Sequence, residues 1–188
     1  MNKIWNELWK SEIPESEIIK DIEKIPAFNV NCTDENNLHD SNWTLLMGAA
    51  FHDRKELVRY LLTYPEININ QKNDDDKTAL YYAYDVSILK LFLTHRDIDV
   101  NIQSKGWTVL HHMCYDGIIE IVQEFLLDVR VDVSIFNKFY NTALYIAIKE
   151  GRHGIANMLK KIRYTSLLRI PNRLLCRDIV RTIIEEYT

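Results

Sequence analysis

An all-α solenoid of stacked helix-turn-helix units is the fold class this sequence predicts, and three observations predict it. Thr44, Thr78, Thr108 and Thr142 each stand two residues before a leucine (Leu46, Leu80, Leu110, Leu144), at intervals of 34, 30 and 34 residues. The stretch after each threonine reads as a short helix, a turn, and a second helix with an apolar pair near its end. A third landmark then recurs as Asn70, Asn101 and Ser134, within Asn68-Ile69-Asn70, Asp99-Val100-Asn101 and Asp132-Val133-Ser134. A fixed period in this range means units that bury their apolar faces only against neighbours.

Aligned on the threonine, the copies read TLLMGAAFHDRKELVRYLL, TALYYAYDVSILKLFL, TVLHHMCYDGIIEIVQEFLL and TALYIAIKEGRHGIANMLK. The set resembles the ankyrin repeat, whose pattern is roughly D-x-x-G-x-T-P-L-H-x-A-A-x-x-G-x-x-E-I-V-x-x-L-L followed by D-V-N. The likeness runs from about residue 29 to residue 160. The family's proline is replaced in every copy (Leu45, Ala79, Val109, Ala143). A first-turn proline only presets φ, so its loss leaves the fold in place. The family histidine survives once, as His111, where the resemblance implies a ring bonded to neighbouring loop backbone. The inter-helix glycine survives as Gly117 and Gly151 and becomes Asp53 in the first copy. In the second copy the turn around Asp85 is three residues shorter, which with a slightly shorter loop accounts for the interval of 30. Inter-helix turns tolerate such deletions best.

Taken in order, 1–31 is expected to hold N-terminal helices and a divergent half-repeat that caps the array. Ile4, Trp5, Leu8 and Trp9 fall on one helical face, and Ile18, Ile19 and Ile22 on another, ahead of Asn29-Val30-Asn31. Repeats follow over 32–74, 75–104 (shortened), 105–138 and 139–163. A longer hairpin loop is expected between Asn31 and Thr44. The stretch 164–188 carries no further threonine-leucine pair. After Pro171, Leu175, Ile179, Ile183 and Tyr187 recur every four residues, which reads as a C-terminal helical cap. The sequence Ile170-Pro171-x-x-Leu174-Leu175 is also similar to the opening of an F-box, a tail that would recruit a ubiquitin-ligase adaptor.

Apolar residues make up 47% of the chain, and Gly and Pro number only 5 and 4, which suits one globular array with Asn- and Asp-rich loops. No apolar run approaches the roughly 20 residues that span a bilayer, and the N-terminus lacks a signal-peptide core, so no membrane partner is expected. Three scattered cysteines, Cys32, Cys114 and Cys176, read as an intracellular, cytoplasmic chain, in a host cytoplasm if viral or delivered by an effector system. The last 40 residues are basic by five charges and the first 148 acidic by nine. Without aromatic interleaving or a recognition helix, that basic end reads as a solvated face, and no nucleic acid is expected.

Catalytic chemistry is not legible. Phosphate-cradling glycine loops, nucleophile elbows and zinc-protease helices are all missing from the sequence. His111, His112 and Cys114 lie close together, but nothing supplies further ligands, and Asp74-Asp75-Asp76 lacks the glutamate of a calcium loop. A non-enzymatic monomer with no cofactor and no metal is the expectation.

Binding is legible through the resemblance, which implies protein recognition at hairpin tips and exposed inner helices. The residue before each threonine, Trp43, Lys77, Trp107 and Asn141, belongs to that surface. A second row lies just ahead of the inter-helix glycine position: Phe51 and His52, Tyr115 and Asp116, Lys149 and Glu150. Phe51 and Tyr115 fall in register with the two tryptophans, Phe139 and Tyr140 extend the surface, and the shortened second repeat interrupts the row. Rigid aromatic side chains dominate interaction hot spots, so this set is the predicted contact with an unidentified protein partner. Asn-rich connectors resemble those of ankyrin arrays in large DNA viruses and intracellular bacteria, which points to a host-directed factor.

Overall fold

The computed structural model describes residues 2–8, 10, 12–34 and 42–167. Trp9, most of the loop ahead of Thr44, and the expected cap or F-box-like tail beyond residue 167 lie outside the described residues. The chain divides into two compact units, Met1–Asp99 and Val100–Thr188.

In the first unit, α1 (Asn2–Leu8) and α2 (Glu15–Glu23) precede α3 (Leu45–Phe51), α4 (Lys55–Leu61), a 3₁₀ turn (Ala79–Tyr82) and α5 (Val86–Thr94). α1 packs on α3 and α3 on the 3₁₀ turn, while α2 packs on α4 and α4 on α5, giving an inner and an outer row. Ile4, Trp5 and Leu8 are buried at the start of the inner row. Burial of each is worth about 1.5–3 kcal/mol over exposure. Gly48 permits the close approach: a Cβ there would stand 2.3 Å from Leu8 Cδ2. Lys24 and Lys3 both donate to Asp21, which ties α1 to α2 and holds the Asp21 carboxyl at about 2.

The second unit opens with a hairpin, β1 (Gln103–Ser104) and β2 (Trp107–Thr108), followed by α6 (Val109–Asp116), α7 (Ile119–Leu126), α8 (Ala143–Lys149) and α9 (His153–Leu167). Lys105 and Gly106, at φ 47° and 80°, form the two-residue turn whose twist suits a tight hairpin. α6 packs on α8 and α7 on α9, repeating the inner and outer rows.

The threonines act as helix N-caps, which is why they mark the period. Thr44, Thr108 and Thr142 accept from the backbone N–H of Met47, His111 and Tyr145, three residues on, satisfying a donor that a helix start leaves unpaired. At two of them the side chain three residues on returns a bond to the threonine N–H, through Met47 Sδ at 3.4 Å and His111 Nδ1 at 3.2 Å. The second copy departs from the expected helix. Its Tyr81 N–H goes to the Thr78 carbonyl at 3.1 Å instead, a 3₁₀ bond that leaves the buried Thr78 hydroxyl unpartnered.

Asparagine side chains join successive loops. Asn31 donates to the Glu66 carbonyl and accepts from the Asn68 N–H, each at 2.7 Å. Asn70 does the same with Asp97 and Asp99, and Asn101 with Arg130 and Asp132. Each amide pairs with a loop as a peptide group would. Ser134, at the next landmark, turns to Asp132 of its own loop.

Arginines stitch the inter-helix turns. Arg54 donates to the carbonyls of Ile13 at 2.7 Å and Lys10 at 2.6 Å, and Arg152, at the same repeat position, donates to the Tyr115 carbonyl. Asp53 takes up a left-handed φ of 52° where the other copies have Gly117 and Gly151, a conformation Asp tolerates better than most residues.

Candidate functional site

Hairpins present the predicted contact residues, and their geometry follows from one buried polar residue at the start of each. Asp34, Asn73, Ser104 and Asn137 are all buried. The N–H of Asp34, Asn73 and Asn137 donates at 2.9 Å to the carbonyl of the residue before the threonine, namely Trp43, Lys77 and Asn141. Asn73 and Asn137 also accept through Oδ1 from the N–H of Lys77 and Asn141, so the tip is closed twice. Asp76 and Tyr140 occupy equivalent left-handed positions in those tips, at φ 64° and 58°.

In the first unit Trp43 is half-buried. Its ring meets Phe51 edge-on at 5.4 Å and lies tilted against Tyr82 at 4.3 Å. Phe51 is itself half-exposed and meets both Tyr82 and His52 edge-on. Tyr82 is the buried floor of this cluster: Asn73 Nδ2 donates to its hydroxyl at 3.2 Å, and burial pushes the phenol up to about 12. Lys77 Nζ lies 4.2 Å from the centre of the Tyr81 ring, a cation–π contact worth about 0.5–1 kcal/mol at a site of this exposure. Tyr84 follows as an exposed aromatic, so the shortened repeat still offers rings where an interruption was expected.

In the second unit Trp107 is also half-buried, tilted over His112 at 5.2 Å and edge-on to Tyr115 at 6.3 Å. Tyr115 and Asp116 are exposed at the end of α6. Phe139 and Tyr140 project from their hairpin at 60% and 87% exposure, with Lys138 Nζ 5.2 Å from the Phe139 ring. Trp43 with Phe51 and Trp107 with Tyr115 therefore repeat one motif, a hairpin tryptophan against an aromatic eight residues on. In each pair the tryptophan is half-buried and its aromatic partner half-exposed.

His111 holds the hairpin behind this surface. Its Nε2 lies 3.0 Å from the Asn141 carbonyl, which can only accept, so the proton is on Nε2 and Nδ1 receives the Thr108 N–H. Burial lowers its pKa below the usual histidine value, opposed by backbone bonds at Asn141 and Ile135. Cys114, beside it in α6, is fully buried, and that burial pushes its thiol up, away from the thiolate that ligation or nucleophilic attack requires. Among the described residues no group of three His, Cys, Asp or Glu is placed to hold a metal ion. No described helix is long and apolar enough to cross a membrane.

Sequence reading missed Tyr82 and His112, the rings on which the tryptophans rest. Both occupy the fourth position after their threonine, one turn into the inner segment, and that shared register is the signal that marks them.

Comparison with known proteins agrees with this architecture. The ankyrin repeats (3 copies) family matches residues 18–104 and 84–166. A probable serine/threonine-protein kinase of Dictyostelium discoideum is 27% identical over 165 residues, 83% of this chain and 19% of that protein. The NAD-capped RNA hydrolase NUDT12 of Homo sapiens, like that of Macaca fascicularis, is 43% identical over 76 residues, 40% of this chain and 16% of the hydrolase. This chain thus spans less than a fifth of the length of these relatives. Their named activities belong to proteins with much else besides, whereas ankyrin repeats are in general protein-interaction modules. With capped threonines at the repeat interval, paired inner and outer rows and a family match over more than half its length, the chain belongs to the ankyrin-repeat family.

Proposed function

We propose that this protein is a non-enzymatic binding module whose partner is another protein, held on the hairpin tips and inner-helix aromatics. The observation that carries the proposal is the duplicated pair of half-buried rings, Trp43 with Phe51 in the first unit and Trp107 with Tyr115 in the second, the second unit also exposing Phe139 and Tyr140. Rings fixed by hairpins and by Tyr82 or His112 lose little entropy on binding, and a polar fringe of His52, Lys77 and Asp116 supplies selectivity. The Asn-rich connectors support a host protein as that partner, and the thiols Cys32 and Cys114 suit a reducing cytoplasm.

The test starts from affinity purification of the full chain with mass spectrometry, followed by titration of the recovered partner. Trp107→Ala together with Phe139→Ala is expected to weaken binding at least ~10-fold, as loss of hot-spot rings does. Tyr140→Asn removes a third ring and keeps a residue suited to the left-handed turn. Unchanged affinity in these variants, with an unchanged melting temperature, would rule the surface out.

A second reading rests on Ile170-Pro171-x-x-Leu174-Leu175: a substrate adaptor that recruits a ubiquitin ligase through its tail while the aromatic surface selects the target. Co-purification of the ligase subunit that recognises F-boxes, abolished by Pro171→Ala with Leu175→Ala, is the outcome this reading requires.

A further inference from the structure

The two ring clusters repeat one motif, but the charges set around them differ. In the first unit, residues 42–54 and 72–85 carry five carboxylates (Asp53, Asp74, Asp75, Asp76, Asp85) against three cations (Arg54, Lys72, Lys77). The equivalent stretches of the second unit, 106–118 and 136–152, carry two carboxylates against three cations. Contacts place the first unit's carboxylates at both ends of its rings. At the hairpin end Asn42, beside Trp43, donates through Nδ2 to Asp74 at 2.9 Å, so the Asp74–Asp76 tip adjoins the tryptophan. At the turn end Asp53 follows Phe51 by two residues and lies near Asp85. Partial burial, and after it the Asp85 charge, raise the Asp53 carboxyl above its usual pKa, with His52 opposing. Between these ends stand Trp43, Phe51 and Tyr82, their ring centres 4.3–6.0 Å apart. The three cations are already engaged: Arg54 with backbone carbonyls, Lys72 with Asp76 at 2.7 Å, and Lys77 over the Tyr81 ring. That last contact shows what this surface holds, a cation against a ring.

We propose that the aromatic surface of the first unit takes a Lys- and Arg-rich segment of the partner protein, lying extended with its cations at the two acidic ends and its stems and guanidinium planes on the rings between. The inference rests on the protein-binding reading and names the class of partner. Charge complementarity selects that class, since opposite potentials steer encounter and like charges exclude wrong partners. Guanidinium groups suit both parts of the surface, pairing with carboxylates and stacking on aromatic faces. The dimensions fit as well: the seven residues of α3 set the two ends about 10 Å apart, a distance that about three residues of extended chain cover. The same field repels nucleic acid and anionic membrane.

The experiment titrates the full chain with three labelled peptides: Arg-Lys-Gly-Ser repeats, the same sequence with Glu for every Arg and Lys, and the same with Leu. Only the basic peptide should bind, and its affinity should fall as salt is raised. Asp53→Asn with Asp74→Asn should weaken it roughly 3- to 10-fold. Both replacements preserve the local structure, since Asn suits the left-handed φ of residue 53 and can still accept from Asn42 at residue 74. Phe51→Leu, which keeps apolar bulk but removes the ring, should weaken it roughly 2- to 5-fold. Glu17→Gln with Glu23→Gln removes two exposed charges from α2 of the same unit and should change nothing. The inference is overturned if that control weakens binding as much, because the attraction is then general. It is also overturned if the basic peptide fails to bind, if the Leu peptide binds as tightly, or if light scattering finds a dimer that Asp53→Asn with Asp74→Asn dissociates. A partner recovered by affinity purification separates this inference from the reading beneath it. If its affinity falls with Trp107→Ala and Phe139→Ala but not with Asp53→Asn and Asp74→Asn, the binding module stands and the basic segment does not.

Discussion

The second and third repeats solve the same problem, turning a chain between two helices, with different parts. In the third, Thr108 caps α6 in a two-way bond with His111, the helix ends at Gly117 in the left-handed conformation (φ 81°), and α7 follows from Ile118, whose side chain provides no cap. In the second, three residues are gone. The inner segment shrinks to the 3₁₀ turn, the Thr78 hydroxyl caps nothing, and Asp85 instead caps α5 through the N–H groups of Ser87 and Ile88 at 2.8 and 3.0 Å. Deletion thus moved the capping bond from the start of the inner helix to the start of the outer one. A repeat tolerates shortening when a new cap replaces the lost one.

That comparison makes unequal claims on each repeat, which thermal and denaturant unfolding can test. The largest effect is expected at the third repeat's turn. Gly117→Ala places a Cβ 2.3 Å from Arg152 Nε in a backbone conformation alanine resists, so it should cost about 2–3 kcal/mol. Asp85→Ala, at the corresponding turn of the second repeat, should cost about 1 kcal/mol as a lost N-cap. The threonines come next: Thr108→Val is expected to lose about 1 kcal/mol, whereas Thr78→Val should be neutral or slightly stabilising because it removes a buried hydroxyl with no partner. Equal losses at Thr78 and Thr108 would break the comparison.

Acid should distinguish the repeats further. His111 is held neutral with its pKa below the unfolded value near 6.5, so the unfolded chain binds more protons in that range. The stability tied to it is complete above pH ~6.5 and is lost as pH falls below that value. His111→Gln should therefore flatten the decline in melting temperature between about pH 7 and 5 relative to wild type. The smallest effect concerns the hairpin asparagines. Asn73 Nδ2 donates to Tyr82, but Asn137 Nδ2 is buried without a partner, because the residue at the Tyr82 position in that repeat is Ile146. Asn73→Leu should accordingly destabilise by about 1 kcal/mol more than Asn137→Leu, the worth of one hydrogen bond.

Much of the fold was legible because it depends on periodic, local chemistry. Helical stripes and turn positions are set by neighbours a few residues away, so Thr44, Thr108 and Thr142 could be placed from spacing and Gly117 from the ankyrin resemblance, although the capping role of the threonines was not read. The burial of Ile4, Trp5 and Leu8 followed from a single helical face in the same way. What could not be read was the consequence of a deletion: the sequence shows three residues missing after Ala83 but not that the Tyr81 N–H would switch to the Thr78 carbonyl. Nor did spacing announce Arg54 and Arg152, whose partners are carbonyls rather than side chains and carry no residue signature. At the candidate surface, positions were legible and neighbours were not. Trp43 and Trp107 were singled out, yet the rings beneath them come from different relations, Tyr82 from the following repeat and His112 from the tryptophan's own.

The asparagine bridges have an evolutionary consequence. Asn31, Asn70 and Asn101 each offer one donor and one acceptor to the next loop's backbone, and that loop needs no particular side chain to accept them. A duplicated unit inserted anywhere between them would find its bonds ready on both sides, so lengthening the array requires no matching change elsewhere. Ser134 ends that possibility at its own position, because its hydroxyl and N–H are both committed to Asp132 and no amide is presented outward.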